Sequence, residues 1–167
     1  GQEKDSSTAG LARMNMVLHG QDTAVIHDGN TLAKPRFKDG DALRTFDYVV
    51  ANPPFSQKNW MTGFDPSADR YHRFEDGIPP EKNGDYAFLL HIIKSMKPRT
   101  GKGACILPHG ILFRGNAEED IRRNLIKRRI IKAIISLPPN LFYGTGIPAC
   151  ILVFKKGRTR DDVLFID

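Results

Sequence analysis

Four residues carry the most legible chemistry in this chain. Asn52, Pro53, Pro54 and Phe55 follow directly on the apolar run FDYVVA (46–51). The two prolines remove backbone donors, so the stretch cannot be a continuation of a sheet. The Asn52 side-chain oxygen is a hydrogen-bond acceptor, and the Pro53 carbonyl is a second. Two acceptors held by consecutive prolines can grip both hydrogens of an exocyclic NH₂ group. That grip turns the nitrogen lone pair out of conjugation, so that a planar amine can attack a methyl group. Phe55 supplies an aromatic face for the ring that carries the amine. Positioning and electrostatics provide most of such an effect, and no general base with a shifted pKa is required. The bland alternative is a Pro-rich turn capped by Asn. Asn/Asp/Ser-Pro-Pro-aromatic arises by chance in a chain of this length on the order of 1 time in 100.

The elements around this turn alternate between helix and strand. STAGLARMNMVLHG (7–20) reads as a helix with a Ser/Thr cap and a terminal Gly20, and TAVIHDGNTL (23–32) as a short strand opening into a turn at Asp28-Gly29-Asn30. After the strand at 45–51, residues 56–82 lose periodicity and collect Gly, Pro, Asp and Lys, which marks a functional or mobile loop. GDYAFLLHIIKSMKP (84–98) predicts a helix capped by Asp85 and stopped by Pro98. GACILP (103–108) predicts a strand and NAEEDIRRNLIKRR (116–129) a helix with acids first and bases last. IIKAIISLP (130–138), ACILVFKK (149–156) and VLFID (163–167) predict three more strands. Near-continuous apolar strands separated by helices imply an α/β fold, a mostly parallel sheet with helices on both faces. Ligands in such folds collect at the carboxyl ends of the strands, which is where Asn52 falls.

The 167 residues suggest one domain, and 40% hydrophobic with 26% charged residues is an ordinary globular composition. No apolar run approaches the roughly 20 residues of a membrane span, and no signal segment opens the chain. Cys105 and Cys150 sit inside strand-like runs and read as buried thiols of a cytoplasmic protein. They make no metal-ligand spacing with the five histidines, so no metal site is expected. The net charge of +6 agrees with a polyanionic partner and equally with a solvated basic surface. Arg122, Arg123, Lys127, Arg128 and Arg129 read chiefly as helix surface complementing the dipole.

A longer series of motifs carries a resemblance. GQE (1–3), LARMNMVLHG (11–20), GNTL (29–32), FDYVVANPPF (46–55), GDYAFLLH (84–91), ILPHGILFRG (106–115) and LPPNLFYGTGIPACILVF (137–154) together resemble amino-group methyltransferases that use S-adenosylmethionine. The nearer resemblance is to the M (modification methyltransferase) subunit of type I restriction-modification systems, which methylates adenine N6 in DNA. It implies a Rossmann-like sheet, S-adenosylmethionine as cofactor, and DNA with specificity and restriction subunits as partners. By resemblance, Asn52 and Pro53 accept from the target N6 and Phe55 stacks on a flipped-out base. Glu3 matches the acid that holds the cofactor ribose. Asn30, and less closely Asp28, match the position near the cofactor adenine. Phe142 and Tyr143 fall in a loop that faces the flipped base, with core packing as their alternative role. His109 and Arg114 follow a strand end, where a structural role is the simpler reading.

The resemblance departs at one point. The family's first strand, with a Gly-rich turn that meets the methionine part of the cofactor, precedes GQE. Within this chain GKG (101–103) and GTG (144–146) each lead into a strand rather than a helix. The expectation is therefore a partial, incomplete catalytic domain over 1–167. The strand at 46–51 should have one unpaired edge prone to self-association, and methyl transfer by the chain alone should be weak or absent. Two other functions fit the same motif: methylation of a protein glutamine amide, and a non-catalytic DNA-binding or assembly module.

Overall fold

In the computed structural model, which describes residues 1–143 and 145–167, the chain begins with β1 (Gln2–Glu3) and helix α1 (Ser6–Leu18). Then come β2 (His27–Asp28), β3 (Lys38–Asp39), β4 (Ala42–Leu43) and β5 (Tyr48–Ala51). Helix α2 (Asp85–Lys94), β6 (Lys102–Pro108), α3 (Ala117–Lys127), β7 (Ile131–Ser136), β8 (Ala149–Lys155) and β9 (Leu164–Ile166) complete the order. Both helix caps differ from the sequence reading. Asp5, not a Ser or Thr, caps α1 by accepting from the Thr8 N–H. Gly84 precedes α2, and Asp85 is its first buried residue rather than its cap.

The main sheet has five strands in the order β5-β6-β8-β7-β9. It is mixed, which corrects the expectation of a mostly parallel sheet. β5–β6 and β7–β9 are parallel, but β8 runs antiparallel to both of its neighbours. The physical reason lies between Ser136 and Ala149, where the described residues of the connection form no helix. A parallel return needs a long crossover, most often helical, whereas an antiparallel one does not. β6 and β8 pair over seven residues each and form the rigid centre.

The core joins α2 (Tyr86, Leu89, Leu90, Ile93), α3 (Ile121, Leu125) and the sheet (Cys105, Leu107, Leu152, Phe154). The expected covering of both faces fails at β5: Val49 and Ala51 pack against the core, while Tyr48 and Val50 are 71% and 77% exposed. β5 is also an edge strand, because β1 and β2 form a separate parallel pair. An apolar cleft of about 590 Å³ lies between the two units, lined by Gln2, Phe37, Phe46, Tyr48 and Val50.

Residues 56–82 have little regular structure, as their composition implies, yet they contribute to the core. Trp60, Phe64 and Phe74 meet ring to ring at 5.6 to 6.0 Å. Beside them the buried Arg73 guanidinium binds Asp69 at 2.7 Å and lies over the Phe64, Tyr71 and Phe74 rings.

Candidate active site

β5 and β6 run parallel, and β5 ends at Ala51 opposite Cys105 while β6 continues to Pro108, so the Asn-Pro-Pro-Phe turn leaves the sheet at the carboxyl end of β5. Pro53 is buried and anchors the turn, Phe55 is half-buried, and Asn52 and Pro54 are exposed. The first hydrogen bond to a side chain along this stretch comes at Ser56, whose N–H donates to Asp85 Oδ1 at 2.7 Å. Asn52 keeps its carboxamide free of protein partners among the described residues. The chain then turns back onto α2: the Gly84 N–H donates to the Gln57 carbonyl at 3.0 Å. A Cβ on Gly84 would meet Trp60 Cβ at 2.8 Å, which explains the glycine there.

The β1–β2 pair supplies the opposite wall. Gln2 ties it together: its Nε2 donates to the Gly29 and Lys34 carbonyls and its Oε1 accepts from the Arg36 N–H. Glu3 Oε1 accepts from the Asp5 N–H at 2.9 Å, which leaves its other oxygen available. Asn30 Oδ1 accepts from the Leu32 and Ala33 N–H groups, so its Nδ2 is the end with capacity for a ligand. Next to it, Thr31 Oγ1 lies 3.1 Å from His91 Nε2, while Arg73 approaches His91 Nδ1 at 3.3 Å. A guanidinium only donates, so Nδ1 must accept and Nε2 carries the proton toward Thr31. Burial, with the Arg73 charge beside it, holds His91 down at about 3 and therefore neutral.

These walls face one cleft of about 560 Å³, within the range of small-molecule sites. Glu3, Asn30, Asn52, Pro53 and Pro54 all line it, so residues up to 51 positions apart in the chain converge. Gln57, Trp60 and Phe88 add further lining. Asp28 is not among them; it is exposed and pairs with Arg13 at 3.0 Å. Phe55 and Phe142 lie outside this lining but meet each other edge to face, with centroids 5.8 Å apart. Tyr143 is fully exposed, and Arg114 is engaged by Asp85 and Glu118. Sequence reasoning missed Gln2 as a latch and the Thr31–His91–Arg73 chain, because hydrogen bonds between residues 60 and 18 positions apart leave no local pattern.

The donor set suits an adenosine-like group: a carboxylate with a free oxygen for hydroxyls, an amide for a ring nitrogen, and apolar Pro, Trp and Phe surfaces. The whole chain, residues 1–167, matches the family described as N-6 DNA Methylase. A crystal structure of the type I restriction-modification system methyltransferase subunit from Streptococcus thermophilus superposes with a TM-score of 0.88 at 41% identity, covering 100% of this chain and 35% of that one. The MjaIX methylase subunit of a type I restriction enzyme from Methanocaldococcus jannaschii is 31% identical over 173 residues, covering 100% of this chain and 30% of the relative. A structure described as a class I S-adenosylmethionine-dependent methyltransferase from Listeria monocytogenes, at 19% identity and a TM-score of 0.67, shares the fold; it is covered to 47% and this chain to 99%. The chain thus spans about a third of the length of the relatives it matches. It belongs to the N-6 DNA methylase family.

Proposed function

We propose that this chain forms the base-gripping half and part of the cofactor-binding half of a site that methylates adenine N6 in DNA. The observation that carries the reading is the convergence of Asn52 and Pro53 with Glu3 and Asn30 on one cleft. In this reading Asn52 Oδ1 and the Pro53 carbonyl accept from the two N6 hydrogens of a base taken out of the duplex. Phe55, braced by Phe142, gives the base a face to stack on. Glu3 accepts from ribose hydroxyls, and Asn30 Nδ2 donates to the cofactor's adenine. S-adenosylmethionine, when bound, supplies the electrophilic methyl group. The protein's share is to hold the amine nitrogen in line with that methyl and to withdraw its hydrogens from the ring plane.

The complete protein works with a specificity subunit that reads the DNA and a restriction subunit that cuts it. In this reading the sheet is an incomplete Rossmann-like sheet, and the cleft lined by Gln2 of β1 and by β5 is where a further strand would add. The test is labelled-methyl transfer by the complete protein with its specificity subunit, to cognate DNA and, separately, to protein. We expect label in DNA and at least a 100-fold loss in Asn52→Ala, as for removal of one essential electrostatic contact (about 10²–10³). Label in protein instead would shift the reading to glutamine amide methylation. Unchanged transfer in Asn52→Ala would overturn the assignment of the turn.

A further inference from the structure

We propose that Asp85 and Arg114 are positioning residues for the Asn52–Phe55 turn, an inference that rests on the catalytic reading of that turn. Ser56 directly follows Phe55 and takes a left-handed conformation (φ 50°), which is uncommon outside glycine. Its N–H has one side-chain partner, the Asp85 carboxylate at 2.7 Å. The second Asp85 oxygen accepts from Arg114 Nη2 at 2.6 Å. Arg114 Nε in turn lies 2.7 Å from Glu118 Oε2. The Asp85 and Glu118 side chains are 0% and 2% exposed.

Three ionisable groups thus stand directly behind the turn, two of them wholly inside the protein. A structural role alone does not require them. Apolar residues of similar size often replace a buried ion pair at no cost in stability. What the carboxylate adds is direction. It presents an acceptor to one backbone N–H in an uncommon conformation, and its other oxygen is held by a single N–H of the Arg114 guanidinium. Arg114 comes from the link between β6 and α3, so the clamp ties the turn to the end of a strand that pairs over seven residues with β8. Burial raises the Glu118 carboxyl above its ordinary range, against the opposing pull of the Arg114 charge. Nothing in this cluster lines the 560 Å³ cleft. Its effect on chemistry therefore runs through Ser56 and the placement of Phe55 and Asn52.

A misplacement of about 1 Å at a reacting group costs on the order of 100-fold in rate. In the complete protein with its specificity subunit, we expect Asp85→Ala to lower kcat 10- to 100-fold per folded site. The KM for DNA and the calorimetric Kd for S-adenosylmethionine should stay within threefold. Arg114→Lys keeps a charge but loses the fork; it should lose 3- to 10-fold in kcat, and it is the informative variant if Asp85→Ala does not fold. A 2-aminopurine at the target position reads placement without chemistry: base extrusion should persist in both variants, with altered quenching by the stacking ring. Wild-type kcat per folded site in Arg114→Lys, or parallel losses in kcat and both affinities, would overturn the clamp. Asn52→Ala run alongside separates the two proposals. If Asn52→Ala is inactive and the clamp variants are not, only the clamp fails; if Asn52→Ala is active, the reading of the turn fails first.

Discussion

Between pH 7 and pH 5 the chain should lose about 2 kcal/mol of folding stability through His91 alone, calculated by proton linkage from a folded value near 3 and an unfolded value near 6.5. The sign follows from the hydrogen bonds. His91 Nδ1 must accept from Arg73, and Nε2–H points to Thr31, so the folded ring has no place for a second proton. The unfolded chain takes that proton as the pH falls through 6.5, and the folded chain does not. Stability contributed by the neutral ring is complete above the unfolded value and is lost progressively as pH drops toward the folded one. The slope approaches about 1.4 kcal/mol per pH unit in that window. Urea denaturation of this chain at pH 7 and 5, beside His91→Gln, measures the effect. Gln retains an acceptor and a donor but does not titrate. The variant should be less stable at pH 7 and should lose about 2 kcal/mol less than wild type on going to pH 5. An equal acid loss in His91→Gln would refute the assignment of the neutral Nε2–H tautomer, as would an ¹⁵N spectrum showing His91 titrating between pH 6 and 7.

Three further outcomes are expected. Arg73→Met should destabilise the chain by about 3–5 kcal/mol, because it leaves Asp69 buried without its partner, whereas Arg73→Met with Asp69→Leu should recover most of the loss in a double-mutant cycle by urea melts. Burial opposes the Asp69 charge, but the hydrogen bonds and charge of Arg73 outweigh it and hold that carboxyl below its ordinary range; the pair's stability is therefore present above about pH 4 and lost below it. The open edge and face of β5 should drive concentration-dependent association in sedimentation, and Val50→Lys should shift the population toward monomer. Calorimetric titration of this chain alone with S-adenosylmethionine should show weak or no binding, since Glu3 lies on, and Asn30 just after, a β1–β2 pair detached from the main sheet; tight stoichiometric binding would show that these two walls suffice.

What could be read in the sequence and what could not divides along a physical line. The strands at 103–108, 130–138 and 149–156 and the helix at 116–129 announced themselves because burial and periodicity are local properties, and the structure has them within a few residues. The Asn-Pro-Pro-Phe turn was legible for the same reason: two prolines after an apolar strand fix a backbone whatever surrounds it. Strand direction was not legible, because it depends on what a connection lacks. The stretch from 137 to 148 holds no helical pattern, and that absence is the one available sign that β8 would run antiparallel. The loop at 56–82 illustrates the other limit. Its polar composition conceals a core of Trp60, Phe64 and Phe74 around the Arg73–Asp69 pair, and charges that neutralise each other inside a fold look in sequence like charges meant for water. Asp85 follows the same rule. Its position at the start of a helix suggested a cap, but a cap needs only the helix's own N–H groups, whereas this carboxylate reaches back 29 residues to Ser56 and forward 29 to Arg114. Residues that hold a turn by contacts across the fold are joined by geometry, so they become visible only once the elements carrying them have been brought together.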